Sequence, residues 1–266
     1  MILLNQWTNT WTLQKNLAQE AGKVINNYFL ADQNKQIKSD NSPVTITDTT
    51  INSMVLDAVH AKYPNHGILA EEESDLHNEE YIWVCDPLDG TIAYTLTIPV
   101  STFAISLVRN GQPLVAVIYD PSQDRMWYAT KNGGAFCNDI QIHVNDETDL
   151  AQAVIASSGP TTNKYVDVPK YDLQSKVFRL MQLSSSQYEA MLVASGKFAG
   201  AIYPGFSPHD MAAVKLIIEE AGGKITDLFG NDQSYDQEIR GAVISNGEIH
   251  DELLEVINKA QFSSEN

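Results

Sequence analysis

Tyr81-Ile82-Trp83-Val84-Cys85-Asp86-Pro87-Leu88-Asp89-Gly90-Thr91 joins an apolar, strand-like run to two carboxylates three residues apart. The run reads as a short buried strand. The segment from Asp86 onward has two readings. Pro87 and the Asp89-Gly90 pair are ordinary turn chemistry, since proline presets one backbone angle and glycine accepts another that side chains resist. A tight turn of that kind can also aim both carboxylates, together with the Leu88 carbonyl, into one pocket. Gly90 and Thr91 can then open a helix whose free N–H groups face a phosphate oxygen.

Two other acidic segments stand near strand or helix ends. Glu71-Glu72-Glu73 follows the strand-like Ile68-Leu69-Ala70, and Ser207-Pro208-His209-Asp210 opens a helical stretch. Each has a plain reading: a solvated acidic loop in the first case, and in the second a helix cap with Asp210 three residues after Ser207. Together with Asp86 and Asp89 they fit hydrolysis of a phosphate ester. That reaction needs positioning and charge neutralisation more than covalent help from protein. Divalent ions supply both, and Mg²⁺ takes oxygen ligands while keeping several of its waters.

The surrounding pattern gives an order of elements. Leu13, Leu17, Ala21, Val24 and Tyr28 share one helical face, and residues 32–43 read as a polar, mobile loop. A second helix is expected from about Thr49 to Lys62, capped by Asp48 or Thr47. Residues 102–108 and 114–119 flank Asn110-Gly111 as a hairpin, and Met126–Ala129 continues the meander. After Asn145, strand-like runs at 153–156, 200–203 and 242–244 alternate with helical ones at about 186–195, 208–221 and 248–259. The chain divides softly at 145–150, into an N-terminal subdomain 1–147 with most of the acidic segments and a C-terminal α/β subdomain 148–266 with Asp210.

The chain has 266 residues, 43% of them hydrophobic, enough to bury a core without disulfides or a structural metal. Its formal charge of -17 repels nucleic-acid phosphates and anionic lipid surfaces, and it attracts cations. Cys85 and Cys137 are the only cysteines and read as buried, inert thiols. The Met1-Ile2-Leu3-Leu4 start lacks the basic and apolar regions of a signal peptide, and no apolar run approaches the about 18 residues of a membrane span. A cytoplasmic location follows by default.

The acidic segments resemble the inositol monophosphatase family of Mg²⁺-dependent, lithium-sensitive sugar-phosphate phosphatases. Asp86–Thr91 resembles the family's D-P-I/L-D-G-T motif. His66–Glu72 is similar to the segment ending in its G-E-E motif, with Ala70 in place of glycine, and Pro43–Asp48 resembles V-T-x-x-D. Gly134–Asn138 matches a family turn. Ser207–Asp210 with Ala212-Ala213 and Glu220–Gly223 resembles W-D-x-A-A…E-A-G-G. The matches keep family order between about residues 38 and 250.

The resemblance implies a five-layered α-β-α-β-α sandwich of the inositol monophosphatase and fructose-1,6-bisphosphatase type, an α/β (α+β) fold, with the site between its halves. It implies two or three Mg²⁺ ions per site. Glu71, Asp86 and the Leu88 carbonyl would hold one, with Glu71 chosen among the three glutamates by gapless alignment from His66. Asp86, Asp89 and Asp210 would hold another. Glu72, Asp48 and Thr91 would activate the attacking water without a phospho-enzyme, and Gly90 and Thr91 would receive the phosphate. Family members are commonly homodimers.

The departures concern substrate. Inositol-specific members carry a glutamate seven residues before the C-terminal aspartate, and Tyr203 stands there, able to bond a hydroxyl or stack on a ring. Ala93 replaces the usual asparagine after D-G-T, and His209 replaces an aromatic. The expectation is a phosphomonoesterase, inositol-1-monophosphatase-like, acting on a small sugar or polyol phosphate. Its rivals are phosphatases of 3'-phosphoadenosine 5'-phosphate, histidinol phosphate or fructose 1,6-bisphosphate and, from another class, a non-catalytic cation-binding regulatory protein.

Overall fold

The structure is a computed structural model that describes residues 7–39, 42–77, 79–158 and 170–263. The start of the chain, where a signal peptide is not expected, lies outside the described residues. The N-terminal half builds α1 (Thr8–Tyr28), a two-stranded ribbon of β1 (Gln36–Ile37) and β2 (Pro43–Val44), α2 (Ile46–Lys62), β3 (Gly67–Ala70), β4 (Tyr81–Asp89) and the short α3 (Thr91–Thr95). A meander follows: β5 (Thr102–Arg109), β6 (Gln112–Asp120), β7 (Arg125–Thr130), β8 (Ala135–Cys137) and β9 (Ile140–Gln141). Strands β3 to β9 form one seven-stranded sheet in sequence order, antiparallel except for β3 against β4. The hairpin at Asn110-Gly111 falls where sequence places it, with both residues at positive φ.

The C-terminal half builds β10 (Val154–Ala156), α4 (Lys170–Lys176), β11 (Arg179–Met181), α5 (Ser186–Ala194), β12 (Gly200–Tyr203), α6 (Pro208–Glu220), β13 (Lys224–Thr226), β14 (Ala242–Ser245) and α7 (His250–Ser263). Its sheet has five strands in the order β11-β10-β12-β14-β13, parallel at β11-β10-β12 and antiparallel beyond. The layers are those of the five-layered sandwich. Helices α1 and α2 cover one face of the large sheet, α5 and α6 lie between the sheets, and α4 and α7 lie outside the small one. Helix α6 explains the middle layer. Met211 to Ile218 are all buried, apolar except for Lys215, which pairs with Glu219 and Asp232, and a helix buried on nearly every side belongs inside a protein rather than on its surface.

Several local expectations need correction. Residues 32–43 are not only loop, because Gln36 pairs with Val44 and Ile37 with Pro43 (Asp40 and Asn41 lie outside the described residues). Helix α2 begins three residues earlier than read. Thr45 is its cap, and Asp48 is the N3 partner that closes a capping box. Ser207 is the N-cap of α6 but makes no side-chain cap bond, so a Ser207–Asp210 box does not form. Cys85 is buried and Cys137 only half-buried.

The Asp86–Asp89 segment is not a turn beyond the strand. It is the strand's own end, bulged so that Asp86 pairs with Ala104 and Asp89 with Thr102. Residues three apart point to opposite faces of a regular strand, and the irregularity is what lets both carboxylates turn to one side. Gly90 then takes φ +81°, and a Cβ there would meet Ser185 Cβ at 3.0 Å. Only glycine suits that backbone at that approach.

Candidate metal and phosphate site

Two acidic clusters face the seam between the halves. In one, carboxylate oxygens of Asp48, Glu71 and Glu72 lie within 4.8 Å of one another; in the other, those of Asp86, Asp89 and Asp210 do. Glu71 also acts electrostatically on Asp86 and Asp210, which ties the clusters into one site. Every side chain expected to hold a cation is therefore present, and Asp210 is brought to Asp86 and Asp89 from more than 120 residues away by α6.

The first cluster carries its own cation. Lys38, just after β1, sets its ammonium 2.9 Å from Glu71 Oε1 and 2.6 Å from Glu72 Oε1. Burial works against that charge, and the two glutamates outweigh it, so the lysine is held above its usual range. Asp48 is fully buried and accepts from Thr45 N at 2.8 Å. Burial pushes its carboxyl up to about 6 against those bonds, and burial likewise raises Glu72. Asn52 Oδ1 accepts from the backbone N–H groups of Glu72 and Glu73, fixing the acidic loop after β3.

The second cluster has donors but no ammonium among the described residues. Asp86 Oδ1 accepts from Leu88 N at 3.0 Å and Oδ2 from Gln187 Nε2 at 2.8 Å. Asp89 Oδ2 accepts from Ser185 Oγ at 2.6 Å and from Gln187 N at 2.8 Å. Tyr203 donates its phenol proton in a short bond to Asp210. Burial, then the neighbouring carboxylates, push Asp89 and Asp210 up to about 7 and Asp86 well above its usual range. Such a set is stable either partly protonated or around a cation. An all-oxygen donor set with surplus negative charge suits a hard divalent ion such as Mg²⁺.

Thr91 links the clusters. Its hydroxyl lies 2.9 Å from the Leu88 carbonyl and 3.4 Å from Asp48 Oδ1. Beside Asp89 and Asp210 opens a cavity of about 190 Å³ that Ile92, Ser158, Ser184, Ser186 and Tyr203 also line. Tyr203 thus reaches the pocket wall, but its hydroxyl is taken by Asp210. His209 lies 3.9 Å from Asp210, and burial holds its imidazole below the usual histidine range. Ser158 is held by Glu189, which accepts from its N–H at 3.2 Å and from its hydroxyl. Sequence reading missed Lys38, Ser185, Gln187 and Glu189. The polar run Ser184-Ser185-Ser186-Gln187 ahead of an apolar helix was the available signal for the middle two.

A metal-assisted phosphatase scaffold is the class that this sandwich and its paired acidic clusters define. The sequence profile of the inositol monophosphatase family matches residues 7–262, and the chain belongs to that family. It is 30% identical over 219 residues to the fructose-1,6-bisphosphatase/inositol-1-monophosphatase of Thermotoga maritima, covering 81% of this chain and 82% of that protein. It is equally 30% identical over 221 residues to the Nus factor SuhB of Escherichia coli, covering 80% and 83%. The solved inositol monophosphatase of Anabaena superposes with a TM-score of 0.83 at 29% identity, over 96% of this chain and 97% of that one. The family is one of metal-dependent phosphatases acting on small phosphorylated substrates. Among the described residues no helix is long and apolar enough to cross a membrane.

Proposed function

We propose that the protein is a Mg²⁺-dependent phosphomonoesterase that hydrolyses a small sugar or polyol monophosphate, inositol-1-phosphate-like, by direct attack of water. The observation that carries this reading is the meeting of Asp86, Asp89 and Asp210 beside a hydroxyl-lined cavity. Glu71, Asp86, the Leu88 carbonyl, Asp89 and Asp210 are the proposed cation ligands. Bound there, Mg²⁺ supplies neutralisation of phosphate charge and acidification of a water.

The chain's own groups do the rest. Glu72 and Asp48 would hold carboxylates toward the attacking water. Glu72 would receive the proton that water loses as the P–O ester bond breaks, and the sugar oxygen would leave with a proton taken from solvent. The Thr91 hydroxyl, next to both Leu88 O and Asp48 Oδ1, orients that water. The N–H groups of Gly90 and Thr91 receive the phosphate. Ser184, Ser186 and Tyr203 present hydroxyls or ring face to the rest of the substrate. We divide the chain at 147/148, so that the first half brings most ligands and the second brings Asp210 and the substrate wall. A lithium-inhibited, cytoplasmic homodimer completes the reading.

The test is phosphate release from inositol 1-phosphate, histidinol phosphate, fructose 1,6-bisphosphate and 3'-phosphoadenosine 5'-phosphate, with Mg²⁺ and in excess chelator. The expected result is preference for inositol 1-phosphate and no turnover in chelator. Preference for a bisphosphate overturns the substrate class. Mg²⁺ binding without any turnover leaves the non-catalytic rival standing.

A further inference from the structure

We infer that Gln187 is a positioning residue for the cation site: its side-chain amide, clamped between Thr102 and Asp86, sets which way the Asp86 carboxylate faces. The inference rests on reading Asp86 as a cation ligand. Gln187 is fully buried in the first turn of α5. Its Nε2 donates to Asp86 Oδ2 at 2.8 Å, and its Oε1 accepts from Thr102 Oγ1 at 3.0 Å. Its backbone N–H donates to Asp89 Oδ2 at 2.8 Å. One residue therefore touches both carboxylates of the bulged strand end from the other half of the chain.

The chemistry fixes the amide's orientation. With a cation bound Asp86 is ionised and only accepts, so the nitrogen end must face it, and the carbonyl end is left for the Thr102 hydroxyl. Thr102 pairs in register with Asp89 on the neighbouring strand, so the clamp is anchored in the same sheet that carries the ligands. With Leu88 N on one Asp86 oxygen and Gln187 on the other, rotation of the carboxyl plane is resisted at both ends, and the carboxylate stays within 4.8 Å of an oxygen of Asp89 and of Asp210.

A neutral donor matters here. A lysine or arginine in its place would orient Asp86 but also neutralise it, as Lys38 does for Glu71 and Glu72. The amide orients the charge and leaves it for a divalent ion. A purely structural role, tying α5 to the large sheet, would show in stability and not in Mg²⁺ affinity.

Mg²⁺ titration of the metal-free protein by calorimetry separates the two, with melting temperature as the control. Gln187→Met keeps the length and removes the donor, and Thr102→Val keeps the donor but frees the amide to turn. Gln187→Met is expected to weaken Mg²⁺ binding roughly tenfold or more, the usual cost of losing a group that orients a ligand, and Thr102→Val to weaken it less. The loss should appear in the Mg²⁺ concentration for half-maximal rate more than in kcat. A folded Gln187→Met protein with wild-type Mg²⁺ affinity overturns the inference. Should that variant not fold, unchanged affinity in Thr102→Val overturns it. Absence of Mg²⁺ binding in the wild type overturns the reading of the site instead.

Discussion

The two acidic clusters are alike in composition and opposite in how their charge is met. Asp48, Glu71 and Glu72 have an ammonium against them, whereas Asp86, Asp89 and Asp210 have, among the described residues, neutral donors from Gln187, Ser185, Ser186, Leu88 and Tyr203 and no ammonium. The first has part of its charge met by Lys38 without any ligand. The second keeps its charge unanswered, and burial pushes two of its members up to about 7. A cluster that the fold leaves uncompensated is the place where a divalent cation gains most on binding.

The strongest way to break this contrast is Asp210→Asn, which keeps shape and removes charge. The expected outcome is a fall in kcat of at least ~100-fold, more than about 2.7 kcal/mol of barrier. A folded variant with wild-type activity at saturating Mg²⁺ removes Asp210 from the site.

The same variant sharpens the contrast through pH. A carboxyl raised from 3.8 to about 7 in the folded state contributes nothing unfavourable below the lower value. Its ionisation then costs stability progressively as pH rises through the upper one. The metal-free Asp210→Asn protein should therefore match wild type in melting temperature near pH 4 and exceed it by a growing margin up to pH 8. Saturating Mg²⁺ should reverse the order at pH 8. A constant difference across the range removes the cause.

Lys38→Met tests the other side. Without its ammonium the first cluster should lower metal-free stability by about 1 kcal/mol, roughly 2–4 °C in melting temperature, and Mg²⁺ should then stabilise the variant more than it does wild type. An unchanged melting temperature would mean that Lys38 contributes nothing to the balance.

The smallest expected effect is at Ser207. Its hydroxyl makes no cap bond, so Ser207→Ala should cost about 0.5 kcal/mol or less. A loss near a full cap's ~1 kcal/mol would return Asp210 to a helix-capping role.

The fold and most of the acidic residues that the structure gathers were legible because their signals are local. Asp86–Thr91 places two carboxylates, a proline and a glycine within six residues, and the run at 208–221 reads as helical from its own composition. The illegible part depends on contacts across the chain. Gln187 meets Asp86 over 101 residues and Lys38 meets Glu72 over 34, and neither residue type has a spacing rule that foretells its partner. Tyr203 was visible as a departure from the family. That its phenol spends its proton on Asp210 follows only from the turn between β12 and α6. The strand bulge was hidden for a related reason. Proline and glycine around an aspartate pair read as a turn unless the neighbouring strand is known to continue alongside.

Helix α6, pressed between two sheets that belong to different halves, makes the proposed cation site a fastener as well as the proposed reaction centre. Asp210 rides on that helix while Asp86 and Asp89 ride on the large sheet, so an ion shared among them resists any parting of the two halves. Amide protons of β4 and α6 should then exchange with deuterium more slowly once Mg²⁺ is added, while those of α7, on the far side of the small sheet, keep their metal-free rates.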